Sequence, residues 1–222
     1  MKAPDLPLIF ITGGGGALAQ AIATAFHAAR WQIAAPRRGE LDVRNGAAVQ
    51  HYVERLPRVD LLVINAALRR DAPFLKLAES AWDEVLDTNL RGAWLCARAV
   101  LPRMRGQGGG HIITLGSHTA RHGRAGQAAY GASKAALMAL TQSLAAEAGP
   151  DNIRVNAVLP GWIPTPFNAR VPEEGHETVR RQHHLGRFNT PEHTAAFLQA
   201  LHGLAHTSGQ IFQLDSRPGS WL

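Results

Sequence analysis

Six short apolar runs, at 8–12, 32–35, 60–65, 111–115, 153–159 and 210–214, alternate along the chain with longer amphipathic stretches. That alternation limits the fold more than any other feature. A run with no polar break suits a strand covered on both faces, as in a parallel sheet, rather than one with a wet face. The stretches near 17–29, 45–56, 78–104, 130–148 and 191–205 have helical length and spacing, and the fourth meets the stop signal Gly149-Pro150. Repeated strand–helix alternation predicts an α/β fold: one domain over residues 1–222, a doubly wound parallel sheet with helices on both faces. Residues 166–190 are polar and irregular, and are expected to form a flap.

Bulk properties narrow the function classes. With 222 residues and 45% hydrophobic content, the chain can bury one sizeable core. The single cysteine, Cys96, allows no internal disulfide and suits a reducing compartment. The apolar stretch at residues 6–11 is too short for a signal or a membrane span, so a cytoplasmic protein with no membrane partner is expected. The net charge of +6 is spread over dispersed arginines, a pattern that argues for no nucleic-acid partner. His118/His122 and His202/His206 are spaced i,i+4, but no third ligand accompanies either pair, and no metal is expected.

Chemistry enters at Tyr130. Lys134 follows one helical turn later, inside Tyr-Gly-Ala-Ser-Lys, in a chain whose other lysines are Lys2 and Lys76. A phenol titrates near ~10 in water. A cation roughly 4 Å away in a cleft contributes on the order of 4 kcal/mol, or about three pKa units. The pair is therefore a candidate general acid–base. Ser117 ends the fourth apolar run, at the rim where open α/β sheets bind ligands. Its hydroxyl suits donation to a substrate carbonyl oxygen within reach of the phenol.

After the first run comes Thr12-Gly13-Gly14-Gly15-Gly16-Ala17-Leu18-Ala19. Glycines at a strand–helix junction let backbone amides approach a pyrophosphate, which makes Gly13, Gly15, Gly16 and Leu18 candidate cofactor contacts. A plain glycine-rich turn uses the same residues, and the strict G-x-G-x-x-G spacing is absent. Arg37 and Arg38 follow the second run, where an NAD site calls for a carboxylate on the ribose 2′-hydroxyl. Two guanidinium groups suit a 2′-phosphate instead, so NADP(H) is expected in preference to NAD(H). Solvated surface arginines are the alternative.

Together these residues resemble the short-chain dehydrogenase/reductase family, in its compact single-domain form, over nearly the whole chain. The family loop Thr-Gly-x-x-x-Gly-x-Gly begins at Thr12 and Gly13, with Ala17 and Ala19 in place of its later glycines. Asp42-Val43 resembles the pair beside the adenine, and Asn65-Ala66-Ala67 resembles the family's Asn-Ala-Gly. Asn89 corresponds to the helix asparagine of the catalytic tetrad, with Ser117, Tyr130 and Lys134 as its other members. Pro160, Gly161, Ile163 and Thr165 match the segment that contacts nicotinamide and its phosphates, a cofactor that Tyr130 and Lys134 also touch in the family. The implied fold is Rossmann-like. Two departures are structural: only three residues separate Arg38 from Asp42, so the usual second crossover helix is missing and the fold is shortened after the second strand. Asp215-Ser216-Arg217 also replaces the family's Asp-Gly-Gly.

The resemblance implies NADPH-dependent reduction of a ketone to an alcohol. Ser117 would hold the carbonyl oxygen and Tyr130 donate the proton. Lys134 would lower the phenol's pKa and bind the nicotinamide ribose, while Asn89 held a water linking Lys134 to solvent. His118, Trp162 and Phe167 are candidate substrate contacts, and Arg170, Arg180, Arg181 and Arg187 make the flap cationic. The family also implies a homodimer or homotetramer. The altered loop with Ala17 and Ala19, Ala67 and the missing helix motivate a reading of another class: a non-catalytic binding or regulatory module with weakened cofactor binding.

Overall fold

The computed structural model describes residues 6–169 and 171–218, so Arg170 lies outside the described residues. The apolar runs become the strands β1 (Leu8–Ile11), β2 (Gln32–Ala34), β3 (Leu61–Ile64), β4 (Gly110–Leu115), β5 (Ile153–Leu159) and β6 (Ile211–Gln213). They form one parallel sheet in the order β2-β1-β3-β4-β5-β6. Between them lie α1 (Ala17–Ala28), α2 (Gly46–Glu54), α3 (Glu79–Leu86), α4 (Gly92–Gly106), α5 (Ala128–Ala148), α6 (Glu173–Gln182) and α7 (Pro191–Gly203).

Strand β1 shows why the runs lack a polar phase. Leu8 and Phe10 face one side, where they join Leu62 and Ile112 under Val53 of α2, Val100 of α4 and Leu137 of α5. Ile9 and Ile11 face the other side, with Leu61 and Ile113 under Ile22 and Phe26 of α1 and Leu198 of α7. Helices thus cover both faces, and every position along β1 is buried. β1 has β2 on one side and β3 on the other. The winding reverses there, and a crevice opens beyond the carboxyl ends of the strands.

Three features differ from, or sharpen, the sequence reading. The stretch 78–104 is not one helix: α3 and α4 are separated by a wide π turn over Asp87–Arg91. The periodicity of apolar residues runs through this turn unbroken, but Asn89 within it is drawn to the backbone of Leu68. The flap is not irregular throughout, because it contains α6. Within α6 the one buried residue is Val179, the single aliphatic side chain in an otherwise polar segment, so no apolar run marked the helix. Glu173 and Glu174 in its first turn and Arg180 and Arg181 in its last do complement the helix dipole. Finally, neither helix nor strand lies between β2 and α2; residues 37–41 form a tight turn in which Glu40 and Leu41 N–H both donate to the Arg37 carbonyl.

Candidate active site

The glycine-rich loop is held from two sides. The Thr12 hydroxyl accepts from the N–H groups of Asn65 and Ala66, each at 3.0 Å. The Asn65 amide donates back to the Thr12 and Gly13 carbonyls at 3.0 and 3.2 Å. Gly13 adopts φ +68°, and a Cβ on it would lie 2.9 Å from Ala66 Cα. Gly14 passes so close to β2 that a Cβ would stand 2.0 Å from the Ala35 carbonyl oxygen. Gly16 then starts α1 with no side-chain cap, leaving the first N–H groups of the helix to the crevice. Gly15, Gly16, Ala17 and Leu18 line that crevice. Ala19 is fully buried in the core beneath α1, so its methyl group is absorbed there and only Ala17 borders the cleft. Glycines without side-chain crowding, a bare helix terminus and nearby guanidinium groups fit a dinucleotide pyrophosphate.

Arg38 lines the cleft, whereas Arg37 does not; its Cγ lies 3.7 Å from where a Gly15 Cβ would stand. Among the described residues, neither guanidinium is in an ion pair. Asp42 and Val43 also line the cleft. The Asp42 carboxylate takes two N–H groups of Arg44, the shorter at 2.6 Å, and this contact brings its pKa down to about 2.

Ser117, Tyr130 and Lys134 converge on the wall of the same cleft, which encloses about 730 Å³. Ser117 follows β4 and its oxygen accepts from Thr119 N–H at 3.2 Å. Tyr130 stands in the first turn of α5, half-buried and tilted against Phe167 at 6.2 Å between ring centroids. Lys134 is buried one turn on; its ammonium donates to the Leu115 carbonyl at 2.7 Å and lies 5.8 Å from the Tyr130 ring centroid. Burial pushes the lysine down to about 8. Burial raises the Tyr130 phenol, and the Ser117 hydroxyl and the Arg69 charge only partly pull it back, so the lowering by Lys134 that the sequence led us to expect is not seen.

Asn89 is fully buried and does not line the cleft. Its side chain accepts from Leu68 N–H at 2.7 Å and donates to the Leu68 carbonyl and the Ser133 hydroxyl, each at 3.0 Å. The Ser133 hydroxyl in turn donates to the Tyr130 carbonyl at 2.8 Å. Asn89 thereby joins the strand-end segment after Asn65 to the helix that carries the tyrosine.

Ala66, Ala67, Pro160, Gly161, Ile163 and Thr165 line the cleft, as do His118, Trp162 and Phe167. Gly161 has φ +82°, and a Cβ there would strike Asp215 Cβ at 2.5 Å. Asp215 forms a buried ion pair with Arg217, which also borders the cleft. Burial acts to raise this carboxyl, but the Arg217 hydrogen bonds and charge outweigh it. Thr178, Val179 and Gln182 of α6 complete the wall. Sequence reasoning did not single out Arg69, Arg124 or Gln127. Two of them had a signal, because Arg124 and Gln127 fall between Ser117 and Tyr130.

Comparison with known proteins places this geometry in context. A family model described as enoyl-(acyl carrier protein) reductase matches residues 17–216. The 3-oxoacyl-(acyl-carrier-protein) reductase FabG of Thermotoga maritima is 37% identical over 169 residues, covering 75% of this chain and 69% of that protein. An acetoacetyl-CoA reductase from an Acinetobacter strain is 36% identical over 172 residues, covering 76% of this chain and 69% of the relative. A Beutenbergia cavernae structure described as an NAD(P)-dependent gluconate 5-dehydrogenase, with NADP bound at low occupancy, superposes with a TM-score of 0.89. It is 27% identical, over 95% of each chain. The chain belongs to the short-chain dehydrogenase/reductase family of NAD(P)-dependent oxidoreductases.

Proposed function

We propose that the protein reduces a ketone to an alcohol with NADPH as the reductant. One observation carries the reading: Ser117, Tyr130 and Lys134 share a cleft with the glycine-rich loop and Arg38. The relatives support the reaction type, since two of them are named as reductases of 3-oxoacyl and acetoacetyl groups.

Gly13, Gly15, Gly16 and Leu18 would hold the pyrophosphate, Arg38 with Arg37 behind it the 2′-phosphate, and Pro160, Gly161, Ile163 and Thr165 the nicotinamide end. Asp42 and Val43 would flank the adenine, and Asn65, Ala66 and Ala67 the adjoining ribose side. The chemistry that bound NADPH supplies is a hydride for the carbonyl carbon. The Ser117 hydroxyl donates to the carbonyl oxygen, where negative charge develops. Tyr130 transfers its proton to that oxygen, completing the C–H and O–H bonds of the alcohol. Lys134 keeps a positive charge one turn from the phenolate that results. Asn89 acts as a positioning residue, since its side-chain polar atoms are engaged with Leu68 and Ser133. In this reading the protein is also a homodimer or homotetramer, as the family resemblance implies.

The test is NADPH oxidation across a panel of ketones, with nicotinamide fluorescence titrations of NADPH and NADH alongside. Turnover with at least one ketone and tighter binding of NADPH are expected. Millimolar NADPH that neither binds nor is oxidised would replace the reductase with the non-catalytic module.

A further inference from the structure

We propose that the substrate carries an oxyanion, either a carboxylate or a phosphate, and that Arg124 binds it. The proposal rests on the reductase reading and names the substrate class of the same cleft.

The charges lining the cleft are lopsided. Among the described residues, its one acidic lining residue is Asp42, which is already held by Arg44. On the side of Ser117 and Tyr130, the lining includes Arg69, Arg124, Arg217, His118 and His122. Two of these guanidinium groups are matched. Arg69 stands 3.7 Å from Asp71 and spends its N–H groups on the Phe167 carbonyl and the Asn168 side chain. Arg217 pairs with Asp215. Arg124 is not matched: it has no ion pair, and its guanidinium donors have no hydrogen-bond acceptor among the described residues.

Arg124 is nevertheless held in place. Its guanidinium carbon sits 5.1 Å from the centroid of the Trp162 ring. That ring is itself fixed, being buried, with its N–H donating to His176 Nδ1 at 3.1 Å. A ring contact of this kind uses none of the guanidinium N–H donors, so the fork that takes a carboxylate or phosphate bidentately stays free. Arg124 is exposed and lies on the loop between Ser117 and Tyr130. A substrate oxyanion there would sit at the mouth while the carbonyl reaches inward to the two hydroxyls. His118 does not compete for it as a cation, since burial, and next the Arg217 charge, bring it down to about 4.

The experiment uses the full chain with NADPH and two matched pairs of ketones: 4-oxopentanoate with its methyl ester, and dihydroxyacetone phosphate with dihydroxyacetone. At least one anion should exceed its neutral partner in kcat/KM by about tenfold or more, mainly through KM. Arg124→Gln should bring that anion to the level of its partner, and Arg124→Lys should recover part of the difference. Which anion wins separates carboxylate from phosphate. Anions no better than their neutral partners, or an Arg124→Gln variant that lowers both members of a pair by the same factor, would overturn the proposal. If none of the four ketones is reduced, the reductase reading is judged by the NADPH titration and the wider ketone panel. Calorimetric titration with 4-oxopentanoate and inorganic phosphate then decides the anion site by itself. Affinity about tenfold weaker in Arg124→Gln upholds it, and equal affinity or no binding overturns it.

Discussion

At Lys134 an ammonium group is buried against one backbone carbonyl, and burial brings its pKa to about 8. Below that value the lysine is charged and the raised Tyr130 phenol keeps its proton, which is the state that carbonyl reduction needs. The rate of ketone reduction should therefore be level through neutral pH and fall above about pH 8, as Lys134 loses its charge. A pH–rate profile of kcat/KM checks this, and Lys134→Met should lower the neutral-pH plateau by about 100-fold or more. In the proposed reading, cofactor choice also rests on single residues. Arg38→Ala should cut the preference for NADPH over NADH by roughly tenfold or more, measured as the ratio of dissociation constants. Ser117, Tyr130 and Lys134 were legible in the sequence because a strand end and one helical turn set their spacing locally. Arg69, Arg124 and Arg217 were not. They come from separate loops, and only tertiary packing brings them to the same wall.

Among the elements, the first turn after β1 is the least tolerant of change. Its glycines were visible in the sequence, but which one is indispensable was not, because the reason is the Ala35 carbonyl just after β2. Gly14→Ala would press a methyl group against that backbone oxygen. It should lower stability by about 1–3 kcal/mol in denaturant unfolding and abolish NADPH binding, whereas Gly39→Ala, in open space, should do neither. The π turn at Asp87–Arg91 escaped the sequence reading for a related reason: nothing in a helical repeat marks where Asn89 must lean out to meet Leu68. Helix α6 escaped because so little of it is buried. The missing crossover helix, by contrast, could be read from a simple residue count between Arg38 and Asp42.

For the whole molecule, the order β2-β1-β3-β4-β5-β6 packs helices on both faces and leaves the site beyond the carboxyl ends of the strands. The core also contains a pH-sensitive element remote from the carbonyl chemistry. His111 and His202 stack at 5.6 Å, each with a buried Nδ1 that lacks a partner. Burial, and next the Arg154 charge, holds both below the ordinary histidine value. The unfolded chain therefore takes up protons first as pH drops through about 6.5, and stability declines with a slope of up to about 1.4 kcal/mol per pH unit per histidine. The melting temperature should be lower at pH 5 than at pH 7.5, and His202→Phe should shrink the difference. Mechanism is tested most directly by replacing Tyr130 with Phe and measuring ketone-dependent NADPH oxidation and NADPH affinity on the same preparation. The account predicts unchanged affinity within about twofold and a loss of turnover of about 100- to 10,000-fold. A Tyr130→Phe enzyme that reduces ketones at the unmodified rate would contradict it.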